Sequence, residues 1–135
     1  MVTIMKFIPV VIALAIASLM PLNAKVVKRY VSTPDATLAF AVDSIDFRKD
    51  LTRVYGRLTG TPHTSGRVDS AVMKSAGRSY TGNDIDGIDF KRYFQWEDDG
   101  CILIEIDFPA MRQFKFARLH LSTPRGESIT NLTRK

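Results

Sequence analysis

The sequence predicts an all-β protein, an antiparallel β-sandwich, behind an N-terminal targeting segment. Three observations carry that reading. After Lys25 the apolar residues recur with period two and nowhere hold an i, i+3, i+4, i+7 spacing for three turns. Clusters of Gly, Pro, Asn, Asp, Ser and Thr cut the chain at short, fairly regular intervals, as in sandwiches and small barrels. The first 24 residues read as a leader apart from the rest.

That leader is MVTIMKFIPVVIALAIASLMPLNA. Lys6 is its only charge, the apolar run Phe7–Met20 follows, Pro21 breaks any helix, and Ala24 offers a small residue at the cut. The order is that of a secretory signal peptide. A permanent anchor needs about 20 apolar residues, and this run is shorter. A cut at Ala15-Ile16-Ala17 leaves apolar residues on the mature end, so cleavage after Ala24 is preferred. No Cys lies near the cut to carry a lipid. The expectation is a signal peptide over 1–24 and one domain over 25–135, exported to the periplasm or secreted, with no stable membrane insertion after cleavage.

The strands follow in order. Tyr30–Pro34 reads as an edge strand or extended arm. Leu38, Phe40 and Val42 alternate with Ala39, Ala41 and Asp43. In Leu51–Leu58, Thr52, Val54, Gly56 and Leu58 share one face. Val68 and Val72 are placed together on the next strand. Cys101–Phe108 alternates most clearly, with Ile102, Ile104, Ile106 and Phe108 inward and Leu103, Glu105 and Asp107 outward. It is expected to be a central strand. Asp99-Gly100 ahead of it is a hairpin signal, pairing it with Tyr93–Trp96. Phe114 and Phe116 are read as inward, then Ala117, Leu119 and Leu121, with a bulge near Phe116. Asn131-Leu132-Thr133 reads as a frayed terminus, its glycosylation pattern accidental.

Composition narrows the chemistry. The chain has 135 residues, 45% apolar and 24% charged, which is globular rather than disordered. One Cys excludes an intramolecular disulfide and a multi-Cys zinc site, and two His leave little for a metal site or a triad. A net charge of +5 invites a nucleic-acid reading. Export argues against it, and so do the carboxylates dispersed from Asp43 to Asp99. Basic clusters at the two ends, Lys25, Lys28 and Arg29, then Arg134 and Lys135, are read as solvated.

Four segments are candidate sites. Asp84, Asp86 and Asp89 could supply oxygens to calcium, but Gly87 falls two positions early for an EF-hand loop. Ile85, Ile88 and Phe90 point instead to packing with the acids in water. Cys101 is read as an inert buried thiol on a strand that is apolar around it; catalysis requires His63 or His120 beside it. His63 sits in a loop, and His120 alternates with Leu119 and Leu121 toward solvent. Among the aromatics, Phe90, Phe94 and Trp96 are expected in the core, with Tyr93 and Trp96 as the alternative surface for a glycan or peptide.

One order of features has a family look. It runs through Val42 and Ile45, Thr52-Arg53-Val54-Tyr55, Gly60 and Pro62, Val68–Met73, Gly77-Arg78-Ser79-Tyr80, Gly87-Ile88-Asp89, Glu97–Gly100, CILIEIDFP and Phe114-Lys115-Phe116. This resembles the small exported, immunoglobulin-like β-sandwich domains of Bacteroidota, which occur alone or ahead of thioredoxin-like domains and mostly have no assigned activity. The resemblance implies fold and compartment and no catalytic residues. The resulting expectation is a non-enzymatic binding or structural module with a protein or glycan partner, no cofactor and no nucleic acid. The alternative is a small periplasmic enzyme or redox-linked accessory using Cys101.

Overall fold

The computed structural model describes residues 24–27, 30–34 and 38–134. The leader expected over 1–24 lies outside them except for Ala24. The described residues form antiparallel β-structure with no helix. The strands are β1 (Ala24–Val27), β2 (Tyr30–Pro34), β3 (Ala39–Arg48), β4 (Leu51–Thr59), β5 (Ser65–Gly66) and β6 (Ser70–Ser75). Then come β7 (Arg78–Thr81), β8 (Asp84–Asp86), β9 (Phe94–Gln95), β10 (Cys101–Pro109), β11 (Phe116–Thr123) and β12 (Gly126–Arg134). One five-stranded sheet runs β1-β3-β4-β10-β8 and a second β2-β12-β11-β6-β7, with β5 and β9 as a separate small pair.

Period-two patterning decides which side chains turn inward. On β4, Thr52, Val54, Gly56 and Leu58 are buried; on β10, Ile104, Ile106 and Phe108 are. β10 lies between β4 and β8, so it is a central strand. Leu103, on its other face, is 70% exposed. Met73, Ala117, Leu119, Leu121 and Leu132 from the second sheet join these residues in one apolar cluster. Each Leu, Ile, Phe or Met among them contributes about 1.5–3 kcal/mol by leaving water. The arrangement is consistent with a β-sandwich.

Polar bonds tie the two sheets. Ser128 Oγ and Thr130 Oγ1 of β12 donate to the carbonyls of Leu38 and Phe40. Both hydroxyls belong to buried residues, so these bonds remove a desolvation cost as well as fixing position. Between β7 and β8 the chain crosses from one sheet to the other, and Gly82 N–H donates to the Ala71 carbonyl and Asn83 N–H to that of Asp107.

On β3 the expected inward Phe40 and Val42 are buried, and a register shift between Val42 and Ser44 lets Ile45 and Phe47 follow them. Several local expectations are corrected. Near Phe116 there is no bulge: Phe114 is buried in the connector ahead of β11, and Phe116 is 50% exposed with the Arg118 guanidinium over its ring. On β6 the inward residues are Ala71 and Met73, while Val72 is half-buried. Ile102 is likewise only half-buried. Asn131-Leu132-Thr133 lies within β12, with Leu132 wholly buried. β9 pairs with β5 rather than with β10, which pairs with β4 and β8.

Candidate functional site

The loops at the two ends of the sheets differ in chemistry. At one end meet the β4–β5 loop, the segment around β9 and the β11–β12 turn. They line a cleft of about 290 Å³, near the lower bound for small-molecule sites.

Trp96 is its foundation. Trp96 is 3% exposed; its indole lies against Gly60, where a Cβ overlaps it, and beside Gly66, where a Cβ meets Phe94 first. Trp96 N–H donates to the Thr64 carbonyl at 2.8 Å, and His63 N–H donates to the Trp96 carbonyl at 2.9 Å. Gly60 N–H closes the loop base on the Gly100 carbonyl at 3.0 Å. Phe94 stands edge-on to Trp96 with ring centroids 5.0 Å apart. His63 takes a left-handed backbone at φ 64°, and its Nε2 lies 2.9 Å from Asp98 Oδ1. Such a conformation in a non-glycine residue is held by surrounding bonds.

On this base Tyr93 is 61% exposed at the cleft. The Arg67 guanidinium lies 4.8 Å from its ring centroid, close enough for cation–π attraction. Asp69 grips Arg67 in a fork at 2.7 and 3.2 Å and raises its pKa further above the ordinary arginine value. Thr61, Thr64, Ser65 and Thr123 add hydroxyls to the lining. The expected division of the aromatics therefore splits. Trp96 is core, Phe90 and Phe94 are half-buried, and Tyr93 alone of the group faces outward.

Cys101 is a free, half-buried thiol at the start of β10. No bond joins it to either imidazole; His63 is engaged by Asp98 and His120 by Glu127 at 3.0 Å. His120 departs from its solvent-facing expectation. Its side chain is largely covered and Nε2 is buried without a partner. The His120 bond lowers the pKa of Glu127 below the usual carboxylate value.

β8 aligns Asp86 with Glu105 and Asp84 with Asp107. Arg53 on β4 binds Asp107 through two nitrogens at 2.7 and 3.1 Å, so one carboxylate of this row is ion-paired. Asp89 pairs instead with Arg92. No group of three or more His, Cys, Asp or Glu suited to a metal ion occurs among the described residues. Sequence reading missed the Arg67–Tyr93 contact, because the two residues are 26 positions apart and only the β5–β9 pairing brings them together.

No family model, curated protein or solved structure matches the chain.

Proposed function

We propose that this chain is an exported, non-enzymatic binding module, an immunoglobulin-like β-sandwich of the kind it resembles in Bacteroidota, which takes a glycan at the Tyr93 cleft. The observation that carries the reading is the Tyr93 ring, exposed beside Arg67 on a loop base fixed by Trp96. A sugar ring offers an apolar C–H face and a rim of hydroxyls. The free area of the Tyr93 ring suits the first, and the Thr61 and Ser65 hydroxyls with the Arg67 guanidinium suit the second. The Thr64 and Thr123 hydroxyls, which donate to the Thr61 and Gly126 carbonyls, can only accept. The sandwich reading draws support from two five-stranded antiparallel sheets contributing to one apolar cluster. Export draws its support from the leader.

A glycan array probed with the wild-type chain and with Tyr93→Ala tests the binding claim. Binding of a defined glycan set by the wild type, and at least a tenfold loss in the variant, is expected. Equal binding by the two proteins contradicts the assignment. Mass spectrometry of the protein from its native host tests export, with a chain beginning at Lys25 expected.

A further inference from the structure

The opposite end of the sheets carries a wide groove of about 1030 Å³. The β3–β4 turn, the β6–β7 turn and the 109–116 connector form it, and Arg48, Lys49, Arg78, Arg112, Lys115 and Phe116 stand along it. Arg48 is neutralised by Asp46 at 2.8 Å. Lys49, Arg78, Arg112 and Lys115 have no ion-pair partner among the described residues. The only carboxylate in the β3–β4 turn is Asp50, beside Lys49. Of the arginines elsewhere, Arg53, Arg57, Arg67 and Arg92 each hold an aspartate, while Arg118, Arg125 and Arg134 form no ion pair among the described residues. Single unpaired cations occur elsewhere, but Lys49, Arg78, Arg112 and Lys115 are gathered along one groove.

Two further features belong to that end. Phe116 is a half-exposed aromatic among the cations, and Met111 is partly uncovered beside it. Cations interleaved with an exposed aromatic and an aliphatic chain are the chemistry of a lipid interface, where charges meet headgroups and rings sit at acyl depth. The start of β1 also lies at this end, where Ala24 pairs with Arg48.

The groove is built rather than draped. Phe114 packs on Tyr30 and Phe47 with ring centroids 5.0 and 5.4 Å apart. Met111 N–H donates to Thr52 Oγ1 at 3.2 Å, and Arg134 N–H to the Lys115 carbonyl at 2.8 Å. The connector thus presents Arg112, Lys115 and Phe116 from a fixed position.

We propose that this basic end docks onto an anionic phospholipid surface and holds the domain there with the Tyr93 cleft turned away from the bilayer. The contact is peripheral, through headgroup phosphates and shallow insertion of Phe116. Each cation brought to an anionic surface strengthens partition about fivefold.

The test is vesicle co-sedimentation of the full chain on phosphatidylcholine alone and on phosphatidylcholine with 30% phosphatidylglycerol. Any contribution of residues 1–24 is common to all variants, so the ratio between variants reads the groove. The double variant Arg112→Gln, Lys115→Gln should lose about 25-fold of the anionic-vesicle binding. The control pair Lys91→Gln, Arg125→Gln, with the same change of charge elsewhere, should stay within about twofold. Raising the salt to ~0.5 M should remove most of the wild-type preference, since a Debye length near 10 Å shrinks accordingly. Phe116→Ser should weaken binding while leaving its salt dependence unchanged. Far-UV circular dichroism and Trp96 emission confirm that each variant is folded. Equal wild-type binding to both vesicles overturns the proposal, and so do equal losses in the two double variants. Binding to a soluble anionic polysaccharide such as heparin with none to anionic vesicles also overturns it, and assigns the groove to a polymer.

Discussion

Gly60→Ala should displace Trp96 and loosen the cleft. The Gly60 backbone lies outside the left-handed region, so the penalty is one of contact alone. A Cβ there overlaps Cε2, Cζ2 and Nε1 of the indole. Ordinary van der Waals separation between such atoms is about 3.5–4 Å, so the ring must move by more than 1 Å. The Trp96 backbone cannot follow, because Thr64 and His63 hold it on both sides. Complete expulsion exposes up to about 250 Å², worth about 6 kcal/mol at 25 cal/mol per Å². Partial displacement costs about 1–3 kcal/mol, the usual range for overpacking. For a domain of ~100 residues the lower range lowers Tm by about 5–20 °C. Trp96 is the only tryptophan, so emission reports this site alone. The wild type should emit as a buried indole; Gly60→Ala should shift to longer wavelength and become accessible to iodide. Unchanged emission with an unchanged Tm refutes the claim that Trp96 fills the space against Gly60.

Other expectations follow from burial and from charge. Ile104→Ala should cost about 2–5 kcal/mol in urea melts, and Leu103→Ala, on the exposed face of the same strand, should stay within about 0.5 kcal/mol. Glu127 has a folded pKa below its unfolded value, so its contribution is present above the ordinary carboxylate range and lost as pH falls through the folded value. The Tm difference between wild type and Glu127→Gln should therefore shrink as pH falls below the ordinary carboxylate value of 4.5. Burial raises the Tyr30 pKa above 10.0, so its contribution is complete below that value and lost as pH rises through the folded one. Tyr30→Phe removes the hydrogen bond to the Phe114 carbonyl, costing about 1 kcal/mol near neutrality, and its Tm should fall less than the wild type's above about pH 10.

Elements whose inward face is aliphatic were legible from alternation alone. β4 and β10 bury Val54, Leu58, Ile104, Ile106 and Phe108, and period two states this directly. β12 was obscured because two of its inward residues are Ser128 and Thr130, buried through bonds to carbonyls of the other sheet. Hydropathy carries no trace of such bonds. Phe116 was misplaced because an aromatic at a strand start looks like core, whereas Arg118 supplies it with a partner at the surface. Asp99-Gly100 does form a turn, with Gly100 at φ 60°, but β5 had already taken the partner expected for β10. Tyr93, Trp96 and Cys101 were recognisable as candidates by residue type. The cleft was not, because it depends on Gly60, Gly66, Arg67 and Tyr93 meeting across separate loops.

Recognition of a glycan at the Tyr93 cleft is the function proposed for this chain. An ¹⁵N-labelled chain titrated with an oligosaccharide drawn from the array, followed by amide shifts, addresses it directly. The predicted perturbations fall within residues 60–67, 93–96 and 123–128 and include the single indole N–H of Trp96. Shifts confined to the basic groove over 109–116, or no shifts in the three cleft segments at saturating sugar, contradict it.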